Sequence, residues 1–534
     1  MPSSLQTIKT SFAVACVVLT SACATTPQAV DQGTINERVN RDFMMMFGES
    51  VLPGDVISLP QAIARAIKYN LDHRLALMQT VVAQQHLDLQ DYNKLPQLAA
   101  RAGYTVRNKQ LASSSFNLNT GVPNFGASTS QDESLFTADL ELSWNTLDFG
   151  IAYLNSKQSA NEVMIAVEQQ RKVISNIVQD VRYAYWRMVS ADRVTGQLKP
   201  LLAEIQQGLN DSYAAQKAKL KPLEECLEYQ RSVLDLQRQM LSLQRGIEES
   251  RMELAALMGL APGSSFKVDT NTELSVPFRI DQPMETGRLQ QLALRNRPEL
   301  IEEDYRDRIA ADEVRKARIR WIPGIELFTG VHHSDNSFLL HNNWAASGYR
   351  LTWNILSIFS TPAAVRHARS QEELGDLRRM ALSMAVLTQV DIAKHRLDQA
   401  REDYGIAREL HRVDQSTYEH YKRRAAASQG DSQTMLQTKA RRLVSSLRHV
   451  MAYADWQNAG AKLYSSIGYQ PVALLSHDQP MEELSAQVEQ YLDTSSFSVE
   501  GGFFSENTAN ERRNKADDYR SLDASENGLS RVQQ

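Results

Sequence analysis

The stretch LSWNTLDFG, residues 142–150, nearly recurs as LTWNILSIF at 351–359. Leu142, Trp144, Asn145 and Leu147 reappear as Leu351, Trp353, Asn354 and Leu356, an offset of 209. Other landmarks extend the echo. Lys94-Leu95-Pro96-Gln97-Leu98 aligns with Trp321-Ile322-Pro323-Gly324-Ile325 at an offset of 227, and Ala66-Ile67-Lys68 aligns with Ala293-Leu294-Arg295 at the same offset. Met258-Gly259-Leu260-Ala261-Pro262 meets Ile467-Gly468-Tyr469-Gln470-Pro471 at 209 again. Chance does not hold four landmarks at two constant offsets, so the chain reads as two tandem copies of one unit. The first copy carries 18 more residues, the difference between the offsets, all between its proline and its Trp-Asn. Length change confined to one place marks a surface loop.

Each unit opens with a helical pattern, about 60–93 and 286–320, which the proline ends. Alternation follows. Leu98, Ala100, Ala102, Tyr104 and Val106 share one face, against Gln97, Arg101, Thr105 and Arg107. Phe136, Ala138, Leu140, Leu142 and Trp144 alternate with Thr137, Asp139, Glu141 and Ser143. The second copy repeats this with Ile325, Leu327, Thr329 and Val331, then with Tyr349, Leu351 and Trp353 opposite Arg350 and Thr352. Period two over about ten residues is a strand wet on one side, and ten residues also cross a bilayer as a tilted strand.

After each Trp-Asn comes a helix of about 67 residues, then a turn near 219–223 or 427–431, then a helix of about 37. Val386, Val390, Ala393, Leu397, Ala400, Tyr404 and Ala407 form a coiled-coil seam; Leu236, Met240, Leu243, Ile247, Leu254 and Leu257 form another. At ~1.5 Å per residue the long helix spans roughly 100 Å, and the two shorter ones stacked end to end match it. Pro200, with Gly196 nearby, predicts a kink. Two units supply four strands, too few to close a barrel, and an open sheet would leave unpaired edges in lipid. Three copies supply twelve strands, an acceptable outer-membrane barrel.

The chain has 534 residues and a net charge of −5, which excludes an electrostatic case for nucleic acid. Lys9 and the apolar run FAVACVVLTSA form a processing signal that ends in LTSAC. Cys23 after the small residues Thr20, Ser21 and Ala22 resembles a bacterial lipobox cysteine, acylated after cleavage. Cys226 then remains as the one thiol, and packing must hold the fold without a disulfide. No P-loop, dinucleotide motif, HExxH or GxSxG appears, so the reading is of a non-enzyme without cofactor. His332, His333 and His341 read as loop or lumen histidines rather than a metal site.

Taken together, Gln61-Ala62-Ile63 to Asn70, Leu95-Pro96-Gln97-Leu98, Leu142-Ser143-Trp144 with Asp148-Phe149-Gly150, and Leu257-Met258-Gly259 resemble the TolC-type outer-membrane efflux protein family over about residues 58–471. The resemblance implies a mostly α protein with a small β part: a trimeric twelve-stranded transmembrane β-barrel above an α-barrel tunnel of coiled-coil helices. It implies an outer-membrane conduit of a Gram-negative bacterium, docked to a periplasmic adaptor and an inner-membrane transporter of the RND or ABC type, including type I secretion. It also places the periplasmic aperture at the start of each last helix. Glu225-Cys226-Leu227-Glu228 matches the family's acidic pattern there, whereas Thr434-Met435-Leu436-Gln437 lacks both acids. Lys219 and Ser428 stand where a glycine is usual. An acidic ring of Glu225 and Glu228 and a plain solvated face are both open. Arg101, Arg107, Asp139, Glu141 and Arg350 are assigned to the barrel lumen.

The expected organisation is a signal peptide at 1–22, a lipid-anchored linker at 23–57, a first repeat at 58–262, a linker at 263–283, a second repeat at 284–471 and a partly disordered extension at 472–534. The alternative reading is a lipid-anchored periplasmic coiled-coil or adaptor protein without a pore. The paired amphipathic strands beside each proline argue against it.

Overall fold

Capping chemistry sets where the first packed helix begins. Ser58 Oγ accepts from the Gln61 amide while Gln61 Oε1 accepts from the Ser58 amide, a reciprocal capping box ahead of Leu59-Pro60. The structure is a computed structural model that describes residues 29–47, 56–261, 263–270, 285–426, 432–469 and 479–493. The processing signal, Cys23, Pro262, the turn at 427–431, Gln470-Pro471, the side chain of Leu243 and the tail beyond residue 493 lie outside the described residues.

In chain order the first half comprises α1 (Gln32–Phe47), β1 (Val56–Ile57), α2 (Leu59–Tyr69), α3 (Leu71–Tyr92), β2 (Gln97–Val106), β3 (Ala112–Phe116), β4 (Pro123–Thr129), β5 (Ser134–Asn145), α4 (Thr146–Lys217) and α5 (Leu223–Leu257). The second comprises β6 (Lys267–Val268), α6 (Thr286–Asn296), α7 (Pro298–Ile319), β7 (Gly324–Ser334), β8 (Asn343–Thr352), α8 (Ser357–Ala426), α9 (Ser432–Ser466) and α10 (Met481–Asp493). Helices α2 to α5 run 11, 22, 72 and 35 residues. Helices α6 to α9 run 11, 22, 70 and 35.

The opening helix of each unit is therefore two helices, not the one that the sequence predicts. Asn70 turns the chain out at ψ 129, and its Oδ1 accepts from the Asp72 and His73 amides, so it ends α2 and caps α3. At the matching place Arg297 precedes Pro298, whose ring pushes the preceding residue out of the helical region. The extra length of the first copy is more than a loop, because β3 and β4 pair into a hairpin. Helix α4 continues through Pro200.

Helices α3, α4, α7 and α8 pack side by side in that order along the half of the bundle next to the strands. Along the other half, α5 and α9 flank α4, and α9 also lies on α8. The predicted seams are the packed ones: Val386, Val390, Ala393 and Leu397 are buried with Leu289, Ala293 and Leu463, and Met240 and Ile247 with Leu201 and Ile205. Between the halves, Tyr185 and Met188 meet Ile63, Ile67, Met258 and Tyr453. Helix α10, which the sequence reading assigned only to an extension, buries Leu484 and Val488 in this core. The short β1 and β6 pair in parallel beside it.

Buried charge fixes how α4 meets α7. Asp312 accepts from Arg315 Nη1 at 2.6 Å and Lys157 Nζ at 3.2 Å. Lys316 Nζ donates to Gln158 Oε1 at 2.7 Å and Asn155 Oδ1 at 3.0 Å. Apolar residues can slide past one another, whereas a buried ion with fixed partners specifies one register.

Candidate functional site

The four long strands form one antiparallel sheet in the order β2-β5-β7-β8. The central pairing, β5 with β7, joins segments from the two halves of the chain. Antiparallel partners directly opposite share a face, so the register assigns every side chain. One row crosses the whole sheet: Arg101 opposite Asp139, Asp139 opposite His332, His332 opposite Trp344. His332 Nδ1 lies 2.7 Å from Asp139 Oδ1, and its ring stacks on Trp344 at 5.5 Å. Glu141 and Arg350 lie on this face too. Arg350 Nη1 donates to Glu326 Oε2 at 2.8 Å, and its guanidinium lies over Phe328. Arg107, one residue past β2, continues the same parity and donates to Gln131 Oε1 at 2.7 Å. The sheet thus brings Arg101, Asp139, Glu141 and Arg350 onto one charged face.

The opposite face is apolar and bare. Leu98, Tyr104, Val106, Leu140, Leu142, Ile325, Leu327, Val331, Tyr349 and Leu351 are all exposed on it. A contiguous exposed patch of this kind marks a surface that meets another apolar phase or partner. His333 falls on this face, against Asn343 Oδ1, and not on the face of His332; the sequence reading had put both in a loop or lumen. The two rings point apart because neighbouring residues in a strand do.

Where the sheet meets the helices, tryptophans gather. Asn145 Oδ1 accepts from the Leu147 and Asp148 amides, so the Asn of the repeated motif is the cap that turns a strand into α4. Trp144 packs edge-on against Phe149 at 5.2 Å, and Trp353 Nε1 donates to the Trp321 carbonyl.

At the far end of the bundle, α4 closes on a Schellman turn. The Leu220 amide reaches the Ala215 carbonyl and the Lys219 amide reaches Gln216. Lys219 takes φ 53, the left-handed region that glycine occupies at no steric cost. Lys219→Gly should therefore raise stability by about 0.5–1 kcal/mol, read as a shift of the urea midpoint. An unchanged or lower midpoint would show that the turn carries no strain.

Glu225 and Glu228 lie exposed on the first turns of α5, with Glu225 held by Lys221 Nζ at 2.5 Å, while Cys226 between them is buried. Thr434 and Gln437 are half-buried on α9, and Gln437 Nε2 donates to Ser232 Oγ on α5 at 3.4 Å. Within one chain the two acids are exposed, whereas Thr434 and Gln437 are half-buried and Gln437 reaches across to α5. The sequence reading missed Glu326, Phe328 and Trp344. Alternation already set Glu326 and Phe328 opposite Leu327, whereas nothing local shows that Trp344 belongs with His332.

Residues 289–469 match the outer membrane efflux protein family. No curated protein matches the chain. Solved structures share its fold, three among them being outer-membrane channel proteins. The outer-membrane channel OprN is 16% identical with a TM-score of 0.58, covering 77% of this chain and 90% of its own. CusC is 16% identical with a TM-score of 0.60, covering 79% and 96%. The Campylobacter jejuni CmeC outer membrane channel is 14% identical with a TM-score of 0.60, covering 88% and 98%.

Proposed function

We propose, from the match of residues 289–469 to the outer membrane efflux protein family, that three copies of this chain form an outer-membrane efflux channel. One observation carries this reading: a sheet of 10- to 12-residue strands with a bare apolar face and a charged face. Among the described residues no helix is long and apolar enough to cross a membrane; strands of 10 to 12 residues are long enough to cross one as tilted barrel strands. The apolar face meets lipid, the face of Arg101, Arg107, Asp139, Glu141 and Arg350 lines a wet lumen, and Trp144, Trp321 and Trp353 sit at the headgroup level.

Closure follows from direction. The order β2-β5-β7-β8 alternates, so the free edges β2 and β8 run opposite ways. Strand β8 of one copy accepts β2 of the next in an antiparallel pair, and three copies give twelve strands. The helices leading to those edges are α3 and α8, the outer members of their layer. Both carry uncovered apolar side chains, Leu71, Leu75, Met78 and Val82 on α3 and Leu377 and Met384 on α8. These stripes seal the tunnel between copies. We read the near-equal helix lengths in the two halves as two repeats, with the boundaries given above. Cys23 supplies a lipid anchor, and the ends of α5 and α9, with Glu225, Glu228, Thr434 and Gln437, form the periplasmic aperture. There an adaptor and an inner-membrane RND or ABC pump deliver cargo, for which the channel is a passive path.

The test is electrical. Detergent-extracted protein should run as a heat-modifiable trimer and conduct ions in a planar bilayer as discrete steps. A trimer that leaves the bilayer silent would sink the channel in favour of a periplasmic coiled coil.

A further inference from the structure

A column of stacked rings, two of them imidazoles, bridges helices α8 and α9. Trp456 stacks on Tyr404 at 5.2 Å, Tyr404 on His449 at 5.3 Å, and His449 on His411 at 5.6 Å. Tyr404 and His411 belong to α8; His449 and Trp456 belong to α9. Past the histidines, Arg442 of α9 lies over the Tyr418 ring of α8 at 4.5 Å. His411 Nδ1 and His449 Nε2 are buried without a hydrogen-bond partner among the described residues. Neutral rings tolerate that environment. A charged ring does not, because each added proton loses its water and faces another cation.

Three arginines and one aspartate act on the pair. Arg442 of α9 acts on His411, while Arg408 of α8 and Arg193 of α4 act on His449. Asp414 of α8 is the acid that opposes them at His411. Arg442 is committed to Gln197 Oε1 at 2.7 Å and Arg193 to the Thr270 carbonyl at 2.7 Å, so neither is free to move away.

We propose that the His411–His449 pair is an acid-released latch: neutral, it holds α8 against α9; protonated, it lets the two helices part. The rings sit about 15 residues from the end of α8, roughly 22 Å at 1.5 Å per residue. Parting there frees the α8–α9 hairpin end, which the conduit reading makes one jaw of the aperture. That link rests on the conduit reading; the loosening itself does not.

Burial first, and the neighbouring cations second, hold both imidazoles below the ordinary histidine value of 6.5. The open hairpin therefore binds more protons than the closed one wherever the pH lies between the folded-state values and 6.5. Opening is favoured as pH falls through that window, by up to about tenfold per pH unit for each histidine. Above it both states are neutral and the latch contributes fully.

Hydrogen exchange of the full-length protein in detergent, corrected for intrinsic rates, tests this between about pH 7.5 and about pH 5.5. Amides around 404–415 and 442–456 should speed up relative to α3, by up to about tenfold for each histidine, and His411→Phe with His449→Phe should abolish that response. Arg442→Gln, which removes one repelling cation, should move the midpoint to higher pH. A wild-type response no greater than that of α3, a double variant that still responds, or an unmoved midpoint in Arg442→Gln would overturn the latch. Exchange is read whether or not the protein conducts, so failure of the latch and failure of the conduit are separate results.

Discussion

Gly468→Ala is expected to destabilise the protein by about 3 kcal/mol or more, enough to leave much of it misassembled. Gly468 is the residue after the cap of α9, in a Schellman turn closed by the Tyr469 amide on Tyr464 and its own amide on Ser465. Its φ is 74, which costs any residue with a Cβ about 1–2 kcal/mol. Space is the larger problem. A Cβ there would lie 2.5 Å from the Asn296 carbonyl carbon, 2.6 Å from its oxygen and 2.8 Å from the Arg297 nitrogen. These are backbone atoms at the break between α6 and α7, and Arg171 Nη2 donates to both the Gly468 and Asn296 carbonyls, so the contact cannot open cheaply. Gly259 repeats the arrangement against Tyr69, with φ 67 and a nearest approach of 2.8 Å to a side-chain carbon, so Gly259→Ala should cost somewhat less. Gly246 in α5 is the control: nothing lies within 4 Å of its would-be Cβ, and alanine there should stabilise by about 0.5–1 kcal/mol. Urea unfolding of the three variants in detergent checks the order. A Gly468→Ala midpoint equal to wild type would refute the close packing of this turn.

Val82→Glu should abolish the trimer while leaving each chain folded. Val82 is 58% exposed in the single chain, midway along α3, so the substitution disturbs little packing within it. On the proposed trimer the same side chain faces α8 of the next copy. Three-fold symmetry then buries three carboxylates without partners, at several kcal/mol each. Mass measurement of the detergent complex should find monomers, circular dichroism should find unchanged helix, and bilayer conductance should vanish. A conducting Val82→Glu trimer would show that the α3 stripe faces something other than a second copy.

The long helices and the strands were legible in the sequence because both signals are local. Trp144 and Leu142 announce a strand by alternation, Asn145 announces the helix start, and Val386 to Leu397 announce the seam by spacing. Helix α10 was missed because its amphipathic stretch is short and its partner α2 lies more than 400 positions earlier. The break at Asn70 was missed because apolar periodicity runs through it, while the side chain that stops the helix acts by capping.

At the candidate site the division has the same cause. Parity along a strand assigned Arg101, Asp139 and Glu141 to one side before any neighbour was known. It could not say that Asp139 meets His332, since those residues are 193 positions apart and nothing local encodes their pairing. By itself the sequence determined the repeated order of landmarks, the two-sided character of the strands and the length of the helices. Only the tertiary structure decided that the two halves share one sheet through β5 and β7, and that β2 and β8 remain as its open edges. Strand order is a choice among long-range pairings that hydrogen-bond equally well, and packing of α4 against α7 selects one of them.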